Sequence, residues 1–258
     1  MFETIIYKTE GPKAYITLNR PEVFNALNGK ILEELHQAFN KCAEDETVRV
    51  VTLSGGNSKA FCSGADLKAG LADPNLGNIL LSHYNPLILG MRNLPKPIIC
   101  KLNGVAAGAG MSLALACDII IANEETYLTE LFVGIGLMPD AGSMYFLPRI
   151  IGSQKTFELC STGRKVFIPE AVQLGIVSKA VKADDLEAEA EKLADQYATA
   201  ATKSIGQMKS VLNRTFENNL ETVLGFEAEA QTKCGKSEDF AEGVMAFLQK
   251  RPTAFKGK

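Results

Sequence analysis

Gly104-Val-Ala-Ala-Gly-Ala-Gly110 runs straight into the apolar segment 111–117. A glycine-rich turn that opens a helix leaves backbone N–H groups unpaired and aimed at one point, with the positive end of the helix dipole behind them. Glycine also lets a ligand approach the backbone closely. A second turn of the same kind, Cys62-Ser-Gly-Ala-Asp66, lies upstream between an apolar run and a helix-like segment. Together with Asp140 in Gly136-Leu-Met-Pro-Asp-Ala-Gly142, the two turns point to a pocket that holds an oxyanion beside a proton-transfer group.

Short β-rich runs alternate with helical patterns around these turns. Residues 14–18, 48–53, 97–101, 118–122 and 175–181 read as strands from their β-branched content and turn-forming flanks. The opening MFETIIYKTEG reads as a first strand, because its charges interrupt any apolar run that a signal peptide would need. Segments 28–44 and 112–117 carry helical spacing, and 170–175 ends on a glycine where a helix C-cap is expected. Such alternation predicts an α/β fold with mainly parallel pairing and right-handed crossovers. Beyond residue 181 the strand pattern stops, and 184–202, 205–220, 224–233 and 240–250 read as helices. Residues 1–190 therefore form the expected α/β body and 191–258 a helical C-terminal region whose apolar faces need a surface to cover, on their own body or a neighbour's.

Composition narrows the function. A net charge of −3 over 258 residues gives no field for nucleic acid or an anionic membrane. No unbroken apolar run reaches the ~18 residues of a membrane span, and a cytoplasmic location is expected. The six cysteines lack CxxC spacing, and several sit in apolar runs, so they read as small buried hydrophobes rather than a disulfide framework or metal site. Neither a Walker loop nor a dinucleotide fingerprint is present: GVAAGAG is not GxGxxG, and no acidic ribose partner follows where one is needed. His36 and His83 lack a paired Asp or Cys motif and read as packing or surface residues. Ser112 sits in no nucleophile elbow.

Five pieces in one order carry a resemblance over essentially the whole chain: Leu18-Asn-Arg-Pro-Glu22 with Asn25-Ala-Leu27, Phe61-Cys-Ser-Gly-Ala-Asp66, Lys96-Pro97 followed by Asn103-Gly104, and Ala116-Cys-Asp118. The chain resembles the crotonase, or enoyl-CoA hydratase/isomerase, superfamily. Within it, Tyr84-Asn-Pro-Leu87, the GVAAGAG turn, Gly136-Leu-Met-Pro-Asp140 and Phe247-Leu-Gln-Lys-Arg251 look most like the 1,2-epoxyphenylacetyl-CoA isomerases, with the Δ3,Δ2-enoyl-CoA isomerases close behind. The resemblance implies a ClpP/crotonase-like spiral of ββα units and a trimer or dimer of trimers built through the C-terminal helices. It also implies an acyl-CoA thioester ligand, with coenzyme A present as part of the substrate and no other cofactor.

By similarity, the backbone N–H groups of Ala65 and Ala109 form the oxyanion hole, next to Gly64 and Gly108. Asp140 is the expected base. The two carboxylates of the hydratase pattern map to Ser112 and Phe132, neither of which transfers the required protons. Moving a double bond needs one base that takes the α-proton and returns it to the γ-carbon, so the expected activity is isomerisation, or rearrangement of a ring epoxide. Hydration is the alternative, with Glu130 or Asp140 as acid, and a non-catalytic acyl-CoA-binding scaffold is the reading from another class. Asp140 could instead cap a helix, Asp66 reads as a cap, and Glu130 competes for the role of base although a strand-edge glutamate is usually solvated. Leu137, Met138 and Phe132 are expected to surround Asp140 and raise its pKa. Tyr84 and Asn85 are candidates for the acyl pocket, Asn-Pro being also an ordinary turn. Lys68 is a candidate for the CoA phosphates, and Phe247 and Lys250 for a neighbour's CoA. Segment 70–81 (GLADPNLGNILL) is expected to cover the acyl pocket and to be mobile.

Overall fold

The computed structural model describes residues 2–70 and 75–258; residues 71–74, near the start of the 70–81 segment, lie outside the described residues. Two sheets result from how the apolar residues are spaced. Along β3 (Val50–Ser54) every residue is buried, but the faces differ. Val51 and Leu53 enter one core cluster, whereas Val50 enters another. β5 (Ile98–Leu102) splits in the same way, Ile98 and Cys100 against Ile99, and β7 (Ile119–Asn123) places Ile120 and Ala122 opposite Ile121. Side chains alternate across a strand, so an unbroken apolar run marks a strand covered on both faces.

These strands form the centre of a six-stranded sheet ordered β1-β2-β3-β5-β7-β10, where β1 is Ile5–Glu10, β2 Lys13–Leu18 and β10 Lys179–Val181. β1 and β2 are antiparallel, and the remaining pairs are parallel. A smaller sheet of β4 (Ala60–Cys62), β6 (Val105–Ala107), β8 (Tyr127–Thr129) and β9 (Val166–Phe167) lies in the order β4-β6-β8-β9. Three successive turns, β3-β4, β5-β6 and β7-β8, each place one strand in the large sheet and the next in the small one. Helices follow each turn, which is the spiral of ββα units.

Helix α1 (Gly29–Glu44) starts at Asn28, whose side chain accepts the Ile31 N–H at 3.1 Å, and its buried face carries Ile31, Leu35, Ala38 and Cys42. After β4 come α2 (Leu67–Gly70), α3 (Leu76–Ile79) and α4 (Asn85–Asn93), with one π-helical turn at Leu80–Tyr84. α5 (Ala109–Leu115) follows β6, and α6 (Ser143–Thr162) follows β8. α7 (Ile168–Gln173) leads to β10. α8 (Leu186–Ala198) crosses residue 190 and lays Leu186, Ala190, Ala194 and Ala198 against Val50, Ile99 and Ile121. Alanine at every fourth position brings this helix close to the sheet. α9 (Thr202–Leu212), α10 (Leu220–Gly235) and α11 (Glu238–Gln249) complete the chain.

Three expectations shift. The strand expected over 175–181 shortens to Lys179–Val181, because the Ile176 and Val177 N–H groups turn back onto the Ala171 carbonyl. The helix expected over 205–220 stops at Leu212, where the Asn213 side chain accepts from Arg92 at 2.6 Å and donates to the Arg92 carbonyl at 2.8 Å. The 104–110 stretch is a strand followed by the first turn of α5, not a turn throughout.

The tail is tied to the body at Asp118. Its carboxylate accepts from Arg92 at 2.9 Å, from the Ile98 N–H at 2.9 Å and from Lys209 at 2.8 Å. Lys209 is buried, and desolvation pushes its pKa down while Asp118 opposes that shift. Truncating one partner of a buried pair strands the other charge, at ~3–5 kcal/mol. We expect Asp118→Ala to lose about 3 kcal/mol in urea denaturation, with much of the loss recovered by adding Lys209→Met. Equal stabilities for the single and double variants would contradict this account.

Candidate active site

The loop after β4 is held by Asn25. This residue adopts a left-handed φ of 57° and is fully buried. Its amide donates to the carbonyls of Gly55 at 2.9 Å, Phe61 at 3.0 Å and Ala60 at 3.3 Å, and its oxygen accepts the Arg20 N–H at 2.9 Å. Leu27 then brackets Ala65: the Leu27 N–H donates to Gly64 O, and the Asp66 N–H to Leu27 O, both at 2.8 Å. Among the described residues, the Ala65 N–H itself donates to no protein acceptor. Ala109 opens α5, so its N–H has no helical acceptor either, while the Gly108 carbonyl takes the N–H groups of Met111 and Ser112.

The two turns touch. A Cβ on Gly64, at φ +100°, would lie 2.9 Å from the Ala107 carbonyl and 3.8 Å from the Ala109 nitrogen. At Gly110 a Cβ would meet the Cys62 carbonyl at 2.3 Å, so α5 lies directly on β4. Both free donors line one cavity of about 530 Å³, with an apolar wall that includes Leu27, Leu80, Phe132, Ile135 and Leu137. Tyr84 and Asp140 bring polar groups to the same space.

Asp140 caps no helix. The cap of α6 is Gly142, with no side-chain bond, and the buried Asp140 Oδ1 has no partner among the described residues. The turn behind it holds Ala141 in the strained left-handed region at φ 48°, followed by Gly142 at φ 94°, which glycine adopts freely. A Cβ at Gly142 would press to 2.6 Å from the Phe146 ring. Burial pushes the Asp140 carboxyl up to about 6. Phe132 and Leu137 share its cavity as expected, but Met138 is 67 % exposed and lies outside the lining.

Residues 9–258 match the family model for enoyl-CoA hydratase/isomerase. The chain belongs to the enoyl-CoA hydratase/isomerase family. It is 37 % identical to the 1,2-epoxyphenylacetyl-CoA isomerase of Escherichia coli, with both chains covered completely. It is 38 % identical to a probable enoyl-CoA hydratase of Rhodobacter capsulatus, over all of this chain and 99 % of that one. Its fold superimposes on an enoyl-CoA hydratase from Bacillus anthracis with a TM-score of 0.94 at 32 % identity, over 99 % of this chain and 100 % of that one. The crotonase fold and an enzyme of this family follow. Both reaction names occur among the relatives, and among the described residues no helix is long and apolar enough to cross a membrane.

The position of Glu130 corrects the expectation of a solvated strand-edge residue. It is 1 % exposed, packed beneath α6, and burial pushes its carboxyl up to about 8 against the opposing hydrogen bond from Ser143. Ser143 Oγ lies 2.6 Å from Glu130 Oε1 and 2.8 Å from Ser112 Oγ, and Ser112 Oγ lies 2.9 Å from the Asp140 carbonyl oxygen. Ser112 sits inside α5 and is spent on this chain of contacts. Glu130 itself is not on the cavity wall.

Other candidates divide. Gly64, Ala65, Asp66, Tyr84, Gly108, Ala109, Phe132 and Asp140 meet at the cavity. The Asp66 carboxylate accepts from Arg20 at 3.1 Å. Asn85 is not in the lining, and Asn85-Pro86 is the first turn of α4 rather than a loop, because proline fits a helix N-terminus. Lys68 is exposed on α2, outside the lining. Phe247, 83 % exposed, and Lys250 are on and just after α11, away from the cavity of their own chain. His83 does line the cavity, a placement the sequence reading missed. It lies within the π-helical turn at Leu80–Tyr84, and no short motif marks it. The five core cysteines are buried and free, as small hydrophobes should be, and no group of possible metal ligands occurs among the described residues.

The raised carboxyl of Asp140 has a stability consequence with a definite sign. Its ordinary value is 3.8, so between there and about 6 the folded state holds a proton that the unfolded state has lost. Stability therefore falls as pH rises through that window. Asp140→Asn removes the term. Urea denaturation should find the variant about 1–2 kcal/mol more stable relative to wild type at neutral than at acid pH, a figure discounted for solvent at the cavity. A pH-independent difference would contradict the buried, unpartnered carboxyl.

Proposed function

We propose that this chain is an acyl-CoA isomerase that shifts a double bond, or rearranges a ring epoxide, in an enoyl-CoA thioester. The observation that supports this reading most is that Asp140, with one buried oxygen unpartnered, lines the same cavity as the two free N–H donors of Ala65 and Ala109. At the positions where the resemblance puts the hydratase carboxylates stand Ser112, whose hydroxyl is engaged, and Phe132, which is part of the apolar wall.

In this mechanism the thioester oxygen lies between the two N–H groups. Asp140, ionised, takes the α-proton while negative charge gathers on that oxygen. The donors are fixed in a largely apolar cavity, where each is worth roughly 3–4 kcal/mol to the enolate. Protonated Asp140 then returns the proton to the γ-carbon, which regenerates the base. The leucines and Phe132 around the cavity suit an apolar acyl chain or ring. Exposed apolar residues on the C-terminal helices, among them Leu212, Phe216 and Phe240, support assembly into a trimer or dimer of trimers.

A panel of β,γ- and α,β-unsaturated CoA esters, including cyclic ones, tests the proposal. We expect double-bond migration with kcat rising through about pH 6 as Asp140 ionises. Asp140→Asn should lose ~10²–10⁴-fold in kcat with CoA-ester binding nearly unchanged. Brisk loss of the crotonyl-CoA conjugated absorbance, retained in Asp140→Asn, would reverse the assignment in favour of hydration.

A further inference from the structure

The chain of contacts behind Asp140 can be solved by counting hydrogens. Ser112 Oγ reaches the Asp140 carbonyl at 2.9 Å and Ser143 Oγ at 2.8 Å, and Ser143 Oγ reaches Glu130 Oε1 at 2.6 Å. Each hydroxyl has one proton to give. Carbonyls only accept, and Ser112 Oγ also lies 3.4 Å from the Gly108 carbonyl, but the shorter 2.9 Å contact takes the Ser112 proton to Asp140 O; the contact between the two serines must then be donated by Ser143. Nothing is left on Ser143 for Glu130. All three contacts are hydrogen bonds together when the Glu130 carboxyl supplies the third proton.

Ionising Glu130 reverses the chain. Ser143 must then donate to the carboxylate, Ser112 to Ser143, and the Asp140 carbonyl loses its hydroxyl donor. It keeps the Ser143 N–H at 3.1 Å. That carbonyl begins the strained Ala141-Gly142 turn, so the lost bond loosens the element that aims the Asp140 carboxylate. Burial favours the neutral acid: Glu130 is 1 % exposed, and its Oε2 has no partner among the described residues. The titratable groups that face it are Asp140, on the turn before α6, and Cys160, within α6. An ionised Asp140 further resists a second charge so near.

We propose that Glu130 is a positioning residue that works as a neutral carboxylic acid: through Ser143 and Ser112 it holds the backbone of Asp140 and so aims the base. The proposal rests on Asp140 being the base. It adds to that reading a second, silent acid and a direction for the hydrogen bonds. In the cycle Glu130 exchanges no proton with substrate.

Two measurements on the intact protein test it. First, an infrared difference spectrum of wild type against Glu130→Gln, without substrate near neutral pH, should contain the C=O stretch of a protonated carboxyl, and that band should titrate away near pH 8. Second, wild-type kcat for double-bond migration should fall above about pH 8. Glu130→Gln, whose amide supplies a donor that cannot ionise, should lack this limb. Glu130→Leu should lose roughly tenfold in kcat, the factor a lost hydrogen bond amounts to, and the glutamine variant should recover most of that loss. A missing infrared band, or a limb that persists in Glu130→Gln, overturns the inference. With the band present, failure of the wild type to migrate any double bond defeats the isomerase reading instead, and the positioning role with it.

Discussion

Two neighbouring backbone N–H groups are kept without protein acceptors while the backbone on either side of them is bonded, and the rest of the site is built on that. An unpaired donor costs about 1–3 kcal/mol where it is buried, as at Ala109, and the fold also keeps the loops from relaxing to satisfy the more open Ala65 N–H. Asn25 does much of this by bonding three carbonyls of the segment that leads into Ala65. Leu27 bonds on both sides of Ala65 and leaves the donor between them free. On the other turn, α5 begins at Ala109 and lies too close to Cys62 for any residue but glycine at 110. The large sheet and its two covered faces supply the rigidity against which this arrangement is held.

Two acids behind one apolar wall then take different states. Asp140 is pushed to about 6 and Glu130 to about 8, both by burial. Near neutral pH the first is largely charged and the second largely neutral, the two states that the proposed roles require. Asp140 reaches the cavity. Glu130 reaches it only through two serine hydroxyls and a backbone carbonyl, so the role proposed for it is geometric. The strain at Ala141 is what the proposed role draws on, since a turn under strain depends on each bond that holds it.

Much of the large sheet was legible in the chain, because its central strands β3, β5 and β7 are largely apolar runs of five residues with glycine, proline or charge at the ends. The small sheet was not. Its strands are two or three residues long, below the length at which periodicity exists, and Val105–Ala107 hides inside a glycine-rich stretch that reads as a turn. Helix α6 escaped because Pro148 and a non-helical Gly152 interrupt its pattern. At the site, the motif glycines and the Pro-Asp dipeptide pointed to Ala65, Ala109 and Asp140, which the structure brings to one cavity. Glu130 was misjudged because its neighbours in sequence, Thr129 and Leu131, carry no sign of what covers it. The cover comes from Ser143, thirteen residues on, and Ser112, eighteen residues back. His83 was missed for a similar reason: the π-helical turn that carries it to the cavity has no sequence signature.

The most direct measurement is a crystal structure with an unsaturated CoA ester bound at neutral pH. The account predicts the thioester oxygen within hydrogen-bond distance of the Ala65 and Ala109 nitrogens. It also predicts an Asp140 carboxylate oxygen about 3–3.5 Å from the α- or γ-carbon, with Glu130 still bonded to Ser143 and out of contact with the ligand. A carbonyl bound away from those two nitrogens, or an acyl chain whose reacting carbons face Glu130 and not Asp140, would contradict it.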